Sequence, residues 1–417
     1  MSTSVMSLSF LKSALLFCIA FIAIFLIIMG YICPGRICAI DVWSSNRYPP
    51  LPELDHDNYQ TSALRSNVGS SNRISFQQIF TDPNFNFNLS KNDVMVFLHI
   101  QKTAGTSFGR HLVRDLKLEA PCLCEKGKKR CKCLRPHSKS SNWLFSRYTT
   151  GWACGLHADW TELTNCVENV WSSQENPRQF LRFFYVTILR DPISRFLSEY
   201  NHIQRGATWR NSFHQCNGRS PNARELPLCY KGANWRNVSL QRFMSCPYNL
   251  AINRQTRMLA DLTLVGCYNR SAMSETRRNE LLLASAKDNL HKMAFFGISE
   301  EQKMSQYVFE QTFNLQFSRS FIQLNETHSS LALDELSPEM VKRIQALNSL
   351  DIQLYEYAKI ILRERFRKLR SQDEKYDGNI KRINDPDLSV PDKMSPEFRL
   401  PKKLAELRKK NRSESGG

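Results

Sequence analysis

His99-Ile-Gln-Lys-Thr-Ala-Gly-Thr-Ser-Phe-Gly-Arg110 follows directly on the apolar run Val94-Met-Val-Phe-Leu98. A continuous apolar run of this length reads as a strand buried on both faces. The pattern from Ser107 to Leu116 reads as a helix, so the residues between must turn tightly from strand to helix. Such a turn leaves backbone N–H groups pointing outward at the helix start, where an anion can sit. Gly105 permits close backbone approach, Thr103, Thr106 and Ser107 offer hydroxyls, and Lys102 adds a charge. The nucleotide pattern Gly-x-x-x-x-Gly-Lys-Ser/Thr needs its lysine after the glycine, whereas Lys102 precedes Gly105. That order argues against an ordinary ATPase.

The same arrangement recurs downstream. Phe183-Phe-Tyr-Val-Thr-Ile-Leu189 is a second buried run, followed by a helical pattern over Ile193–Gln204. Further helices are predicted at Arg277–Leu290, Glu300–Phe313 and Pro338–Arg367. Strands followed by helices indicate an α/β layered fold with a parallel sheet flanked by helices. This catalytic candidate spans residues 91–367. Residues 34–90 are polar and irregular and read as a stem, and the charged, Pro-containing tail at 368–417 reads as disordered or frayed helix.

The 417 residues carry 57 Lys and Arg against 39 Asp and Glu, a formal charge of +18 that points to an anionic partner. Ala14–Cys33 contains twenty residues without a charge, enough to span about 30 Å of hydrocarbon, and residues 1–13 make a short tail before it. A cleaved signal peptide would have a shorter apolar core and a small-residue cleavage site, so the stretch reads as an uncleaved anchor. Five Asn-X-Ser/Thr acceptors, Asn88, Asn237, Asn269, Asn325 and Asn411, all follow the anchor. Ten cysteines between Cys122 and Cys267 form an even set. Together these features favour a lumenal, oxidising compartment and a single-pass membrane layout, and they make nucleic acid a poor partner.

Lys102-Thr-Ala-Gly-Thr106 after a buried strand resembles the 5′-phosphosulfate loop of sulfotransferases that use 3′-phosphoadenylyl sulfate. Leu189-Arg-Asp-Pro-Ile-Ser-Arg-Phe-Leu-Ser198 resembles the 3′-phosphate site of the same enzymes. The fuller resemblance is to heparan sulfate 6-O-sulfotransferases, over about Asp93 to Lys359. It is carried by HIQKTAGTSFGRHL, WLFSRYTTGWACGLHADWTELTNC, HIQRGATW and CPYNLAINRQTRMLADLTLVGCYN. The resemblance implies a P-loop-like sulfotransferase fold and a Golgi membrane enzyme with its catalytic domain in the lumen. It also implies sulfuryl transfer from 3′-phosphoadenylyl sulfate to the 6-hydroxyl of glucosamine in heparan sulfate. His99, Ile100, Gln101, Lys102, Thr103, Ala104, Gly105, Thr106 and Ser107 would hold the donor with Arg190 and Ser198. Ile322, Gln323, Leu324, His328 and Ser329 would join them, although His328 stands where arginine is expected.

In-line transfer needs a base for the sugar hydroxyl and stabilisation of the leaving phosphate. Composition alone cannot choose among nine histidines. The resemblance places the base at His157, with Lys102 neutralising the departing oxygen. It places Lys129, Arg130, His202 and Trp209 on the acceptor, Arg130 standing where relatives often carry lysine. Arg147 offers a charge for a sulfate or carboxylate, and Trp152 a flat face for a sugar ring. Cys122-Leu-Cys124 and Cys131-Lys-Cys133 invite a zinc reading, but their spacing differs from a CxxC knuckle and the lumen favours disulfides, so no metal is expected. The alternatives are a uronyl 2-O-sulfotransferase and a non-catalytic heparin-binding membrane protein.

Overall fold

The computed structural model describes residues 72–82, 85–172, 180–321 and 336–385. In chain order these form α1 (Phe76–Thr81), β1 (Asp93–Leu98), α2 (Gly105–Arg114), β2 (Leu144–Phe145), α3 (Trp160–Ser172), β3 (Arg182–Leu189) and α4 (Pro192–Gln204). Then come α5 (Leu240–Ser245), α6 (Arg254–Leu259), α7 (Glu275–Lys292), β4 (Phe295–Ile298), α8 (Gln302–Phe313), α9 (Pro338–Leu347), α10 (Ser349–Gln372) and α11 (Tyr376–Asn384). The sheet order is β2-β1-β3-β4 and every pairing is parallel. All six residues of β1 are buried, the reason its sequence runs apolar without alternation.

Asp93 pairs with Arg182 and Leu98 with Thr187, so β1 and β3 end at one edge of the sheet. The Thr187 hydroxyl donates to the Leu98 carbonyl at 2.8 Å and locks that edge. The turns that follow, at His99 and Arg190, are therefore neighbours in space though far apart in sequence. Phe108 of α2 and Phe309 of α8 pack together and on Phe295 of β4, in the main core. A second, smaller apolar cluster gathers Phe196, Trp235, Phe243 and Ile344 beneath α4.

Three boundaries differ from the sequence reading. Residues 72–90 belong to the folded unit, whose boundary falls at Gly69 rather than at residue 91. Ile74 N donates to the Phe183 carbonyl at 2.8 Å, extending the sheet edge. Phe87 packs edge-on against Phe184 at 5.0 Å and against Phe313 at 5.4 Å. The segment is too short and irregular to show a period, yet its few aromatic anchors are buried. At the other end, the tail beyond residue 367 continues as α10 and α11. Tyr307 donates to Asp373 at 2.8 Å, Ser320 donates to the Ile383 carbonyl at 2.8 Å, and Arg382 pairs with Glu310.

The helix expected over Pro338–Arg367 is broken at the buried Asn348. Its side chain donates to the Ile344 carbonyl at 2.9 Å, while Asn253 accepts from the Leu350 and Asp351 amides that open α10. Among the described residues no helix is long and apolar enough to cross a membrane, and the anchor expected at 14–33 lies outside them.

Removing residues 72–90 should destabilise the domain. Ile74, Phe76 and Phe87 are each at most 8% exposed, and burying such side chains contributes about 1.5–3 kcal/mol apiece. A chain starting at residue 91 is expected to lose at least about 4 kcal/mol against one starting at 69, read from urea unfolding. Equal midpoints would show that the segment is only a tether.

Candidate active site

The turn after β1 is built as its composition requires. Lys102 and Ala104 both sit in left-handed backbone at φ 67°, a conformation that costs a non-glycine residue about 1–2 kcal/mol. Ala104 precedes α2, and no side chain caps that helix start. The first N–H groups of α2 and its dipole thus face outward where an anion would be held. Gly105 is obligatory, because a Cβ there would stand 2.5 Å from His99 Cδ2.

Arg190, directly after β3, donates to the Lys102 carbonyl at 3.2 Å and so joins the two turns. Its backbone is clamped by Gln255, which accepts from Arg190 N and donates to Arg190 O, both at 2.9 Å. Burial, then Arg205 and Arg190, lower the Lys102 pKa, while Glu199 opposes them. Cations crowded together in this way leave a field that attracts anions. Among the described residues, Gln101 Oε1 and His99 Nδ1 are buried beside them with no hydrogen-bond partner. An uncapped helix start, converging cations and orphaned polar atoms are the features that a phosphate- and sulfate-bearing nucleotide would satisfy. Ser198 lies half-buried in α4. Ile322, Gln323, Leu324, His328 and Ser329 lie outside the described residues, although Phe321 before them packs on Phe108 and His111 of α2.

Beside this turn, aromatic rings form a row. His99 stacks on Trp152 at 5.9 Å, Trp152 lies 4.6 Å from His157, His157 lies 5.3 Å from Trp209, and Trp209 lies 5.5 Å from His202. The Cys154–Cys166 disulfide pins the His157 loop to α3. Leu156 accepts from the Ser212 hydroxyl at 2.8 Å, which holds the Trp209 loop alongside.

His157 Nδ1 lies 2.9 Å from the His99 carbonyl. A carbonyl can only accept, so Nδ1 carries the proton and Nε2 keeps its lone pair. Burial lowers the His157 pKa, and Arg254 and Arg147 add to the effect; against the bond to His99 the net result is about 4. The ring is therefore neutral at physiological pH.

Arg147 lies 5.6 Å from the Trp152 ring and donates to Thr106 at 3.4 Å, bridging the aromatic row to the turn after β1. Lys129 and Arg130 are exposed on a hairpin crossed by the Cys122–Cys133 and Cys124–Cys131 disulfides. Those four sulfurs are thus engaged with one another rather than with a metal. Cys131 N donates to the Tyr148 carbonyl at 2.6 Å, and the Arg130 side chain lies over Gly151, next to Trp152. All ten cysteines of the domain pair, the remaining bridges being Cys216–Cys267 and Cys229–Cys246. Asn237 and Asn269 are exposed, Asn88 is half-buried, and Asn325 and Asn411 lie outside the described residues.

Sequence reasoning missed the support beneath this row. Glu199 of α4 is buried between Arg195, at 2.6 Å, and Arg254, at 2.5 Å, and accepts from Trp209 Nε1 at 3.0 Å. Burial alone would raise its carboxyl, but Arg254 and Arg195 more than reverse this and hold it at about 2. Asp351 accepts from the Gln255 and Thr256 amides at 3.1 and 2.8 Å, fixing the start of α6. The i,i+4 spacing of Arg195 and Glu199 was the available signal. It looks like any surface pair until the burial is known.

The parallel α/β sheet thus carries two cationic strand-to-helix turns side by side. A family profile described as the Sulfotransferase family matches residues 85–358, and the chain belongs to that family. It is 48% identical over 365 residues to heparan-sulfate 6-O-sulfotransferase 3-B of Danio rerio, covering 85% of this chain and 86% of that one. It is 48% identical over 361 residues to heparan-sulfate 6-O-sulfotransferase 2 of Gallus gallus, covering 83% and 85%. Against heparan-sulfate 6-O-sulfotransferase 1 of Homo sapiens the identity is 55% over 286 residues, 68% and 69% of the two chains.

Glu199→Ala should be severe, since it strands two buried guanidinium groups. Breaking a buried ion pair from one side costs about 3–5 kcal/mol. Glu199→Gln, which can still bond Trp209, should lose less. Urea midpoints of both variants, compared with wild type, check the order, and a Glu199→Ala midpoint equal to wild type would contradict the network.

Proposed function

We propose that this chain transfers the sulfuryl group of 3′-phosphoadenylyl sulfate to the 6-hydroxyl of glucosamine in heparan sulfate, with His157 as general base. The single observation that carries the reading is a histidine held with Nδ1 protonated and Nε2 free, beside a cationic, uncapped strand-to-helix turn. The relatives bearing that activity in their names support the substrate.

The donor turn from His99 to Ser107, with Arg190 and Ser198, holds the nucleotide; the 322–329 segment completes the site. The donor supplies the sulfuryl group and a phosphate as leaving group. His157 Nε2 takes the proton of the 6-hydroxyl as that oxygen becomes the nucleophile. Lys102 and the first amides of α2 face the negative charge that grows on the leaving oxygen. Trp152 and Trp209 flank His157 and position the sugar, while Arg147, His202, Lys129 and Arg130 meet its charged groups. The chemistry so described needs no metal.

The setting is read as the Golgi membrane, with residues 14–33 as a single-pass anchor and the catalytic domain in the lumen. Five disulfides and exposed sequons support an oxidising compartment in which Asn88, Asn237, Asn269, Asn325 and Asn411 are acceptors for glycan.

His157→Ala separates chemistry from structure. Transfer to the 6-position should fall about 10²–10⁴-fold, the share of a positioned base. Affinity for 3′,5′-phosphoadenosine should stay close to wild type, while the lost bond to the His99 carbonyl should lower the melting temperature only modestly. A wild-type rate would remove His157 from the mechanism, and a joint loss of stability and nucleotide affinity would make it a structural residue.

A further inference from the structure

The row of rings continues past Trp209 into a turn that reverses the chain after α4. Gly206 N donates to the Ile203 carbonyl at 2.8 Å and Ala207 N to the His202 carbonyl at 3.2 Å. Arg205 and Arg210 project from this turn and are exposed. Packed on it is the segment around Trp235, whose Asn237 N donates to the Gln204 carbonyl at 2.9 Å. That contact lays the exposed Arg236 over Gly206, where a Cβ would stand 3.2 Å from Arg236 Nε. Arg210 bonds the Gly232 carbonyl and lies 5.5 Å from the Tyr230 ring. The Cys229–Cys246 disulfide and the buried Trp235 make the platform rigid.

Some surface arginines have carboxylate partners, as Arg219 has Glu225 and Arg277 has Glu280, while others, such as Arg224 and Arg242, have none among the described residues. Among the described residues, no carboxylate lies within ion-pair distance of Arg205, Arg210 or Arg236. Two exposed guanidinium groups on the turn and a third laid over Gly206 gather positive charge that an anion would neutralise. Their planar donor forks suit sulfate and carboxylate groups. Arg205 also contributes to lowering the pKa of both Lys102 and His202, which places it at the rim of the site.

We propose that Arg205, Arg210 and Arg236 form a second anion-binding rim, at the far end of the aromatic row from Arg130, that holds sulfo and carboxylate groups of the acceptor chain beyond the reacting sugar. The inference rests on the acceptor reading given above. It makes the acceptor site a track with two cationic ends, the disulfide hairpin and this turn, and with His157 between them. A short acceptor reaches one end only, whereas a long one engages both.

The test uses an Arg210→Ala, Arg236→Ala double variant and de-6-O-sulfated heparin as a tetrasaccharide and a dodecasaccharide. An Arg277→Ala, Lys292→Ala double variant controls for net charge. Calorimetry should show the dodecasaccharide bound about five- to tenfold more weakly by the rim variant, the effect of deleting two exposed cationic groups that meet the ligand. The control variant should bind it as wild type does. The rim variant's loss for the tetrasaccharide should be smaller, and the difference between the variants should shrink at high salt. Dodecasaccharide affinity equal to wild type, or an equal loss in the control, would overturn the rim. Because binding is read without turnover, failure of wild type to sulfate the 6-position would count against the proposed function and leave the rim to be judged on affinity.

Discussion

The 2.9 Å hydrogen bond from His157 Nδ1 to the His99 carbonyl ties the two halves of the site together. Its acceptor is the first residue of the turn after β1, and its donor is the central ring of the aromatic row. One bond thus sets the tautomer of the His157 ring and its position relative to that turn. His99 stands at the end of β1, and the loop that follows β2, itself paired parallel to β1, carries His157 to it.

Around that bond, rigidity is supplied by covalent and ionic ties rather than by a deep core. The hairpin carrying Lys129 and Arg130 is exposed, and two disulfides hold it in place of burial. Trp209 is fixed by Glu199, itself held between two buried arginines. Arg195 also lies 3.8 Å from the buried Asp351, so the two guanidinium groups are balanced by two carboxylates. Such a network is weak as a source of net stability, since desolvation offsets the attraction. Its value here lies in holding Trp209 and α6 in one arrangement.

The elements that were legible in the sequence are those whose signal is local. β1 and β3 announced themselves as apolar runs because both of their faces are buried. The donor turn was legible because the strand-to-helix step, Gly105 and Lys102 lie within a few residues. The packing of Phe76 and Phe87 was not legible, since isolated aromatics in a polar stretch carry no period. Nor was the break at Asn348, which depends on Asn253 nearly a hundred residues away. The pairing of the cysteines could not be deduced from their spacing, and Glu199 looked like an ordinary helix-surface charge. In each case the missing information was tertiary: which side chains end up without water.

The state of His157 is the central claim, and long-range ¹H–¹⁵N correlation spectra of histidine-labelled protein read it directly. At pH 7 the ring should be neutral with its proton on Nδ1, and on acidification it should gain a proton at Nε2 near pH 4. Because its pKa lies below the free value, protonation is resisted through pH 6.5 and appears only well below it. A proton on Nε2 at pH 7, or titration at an ordinary value of about 6.5, would contradict the account.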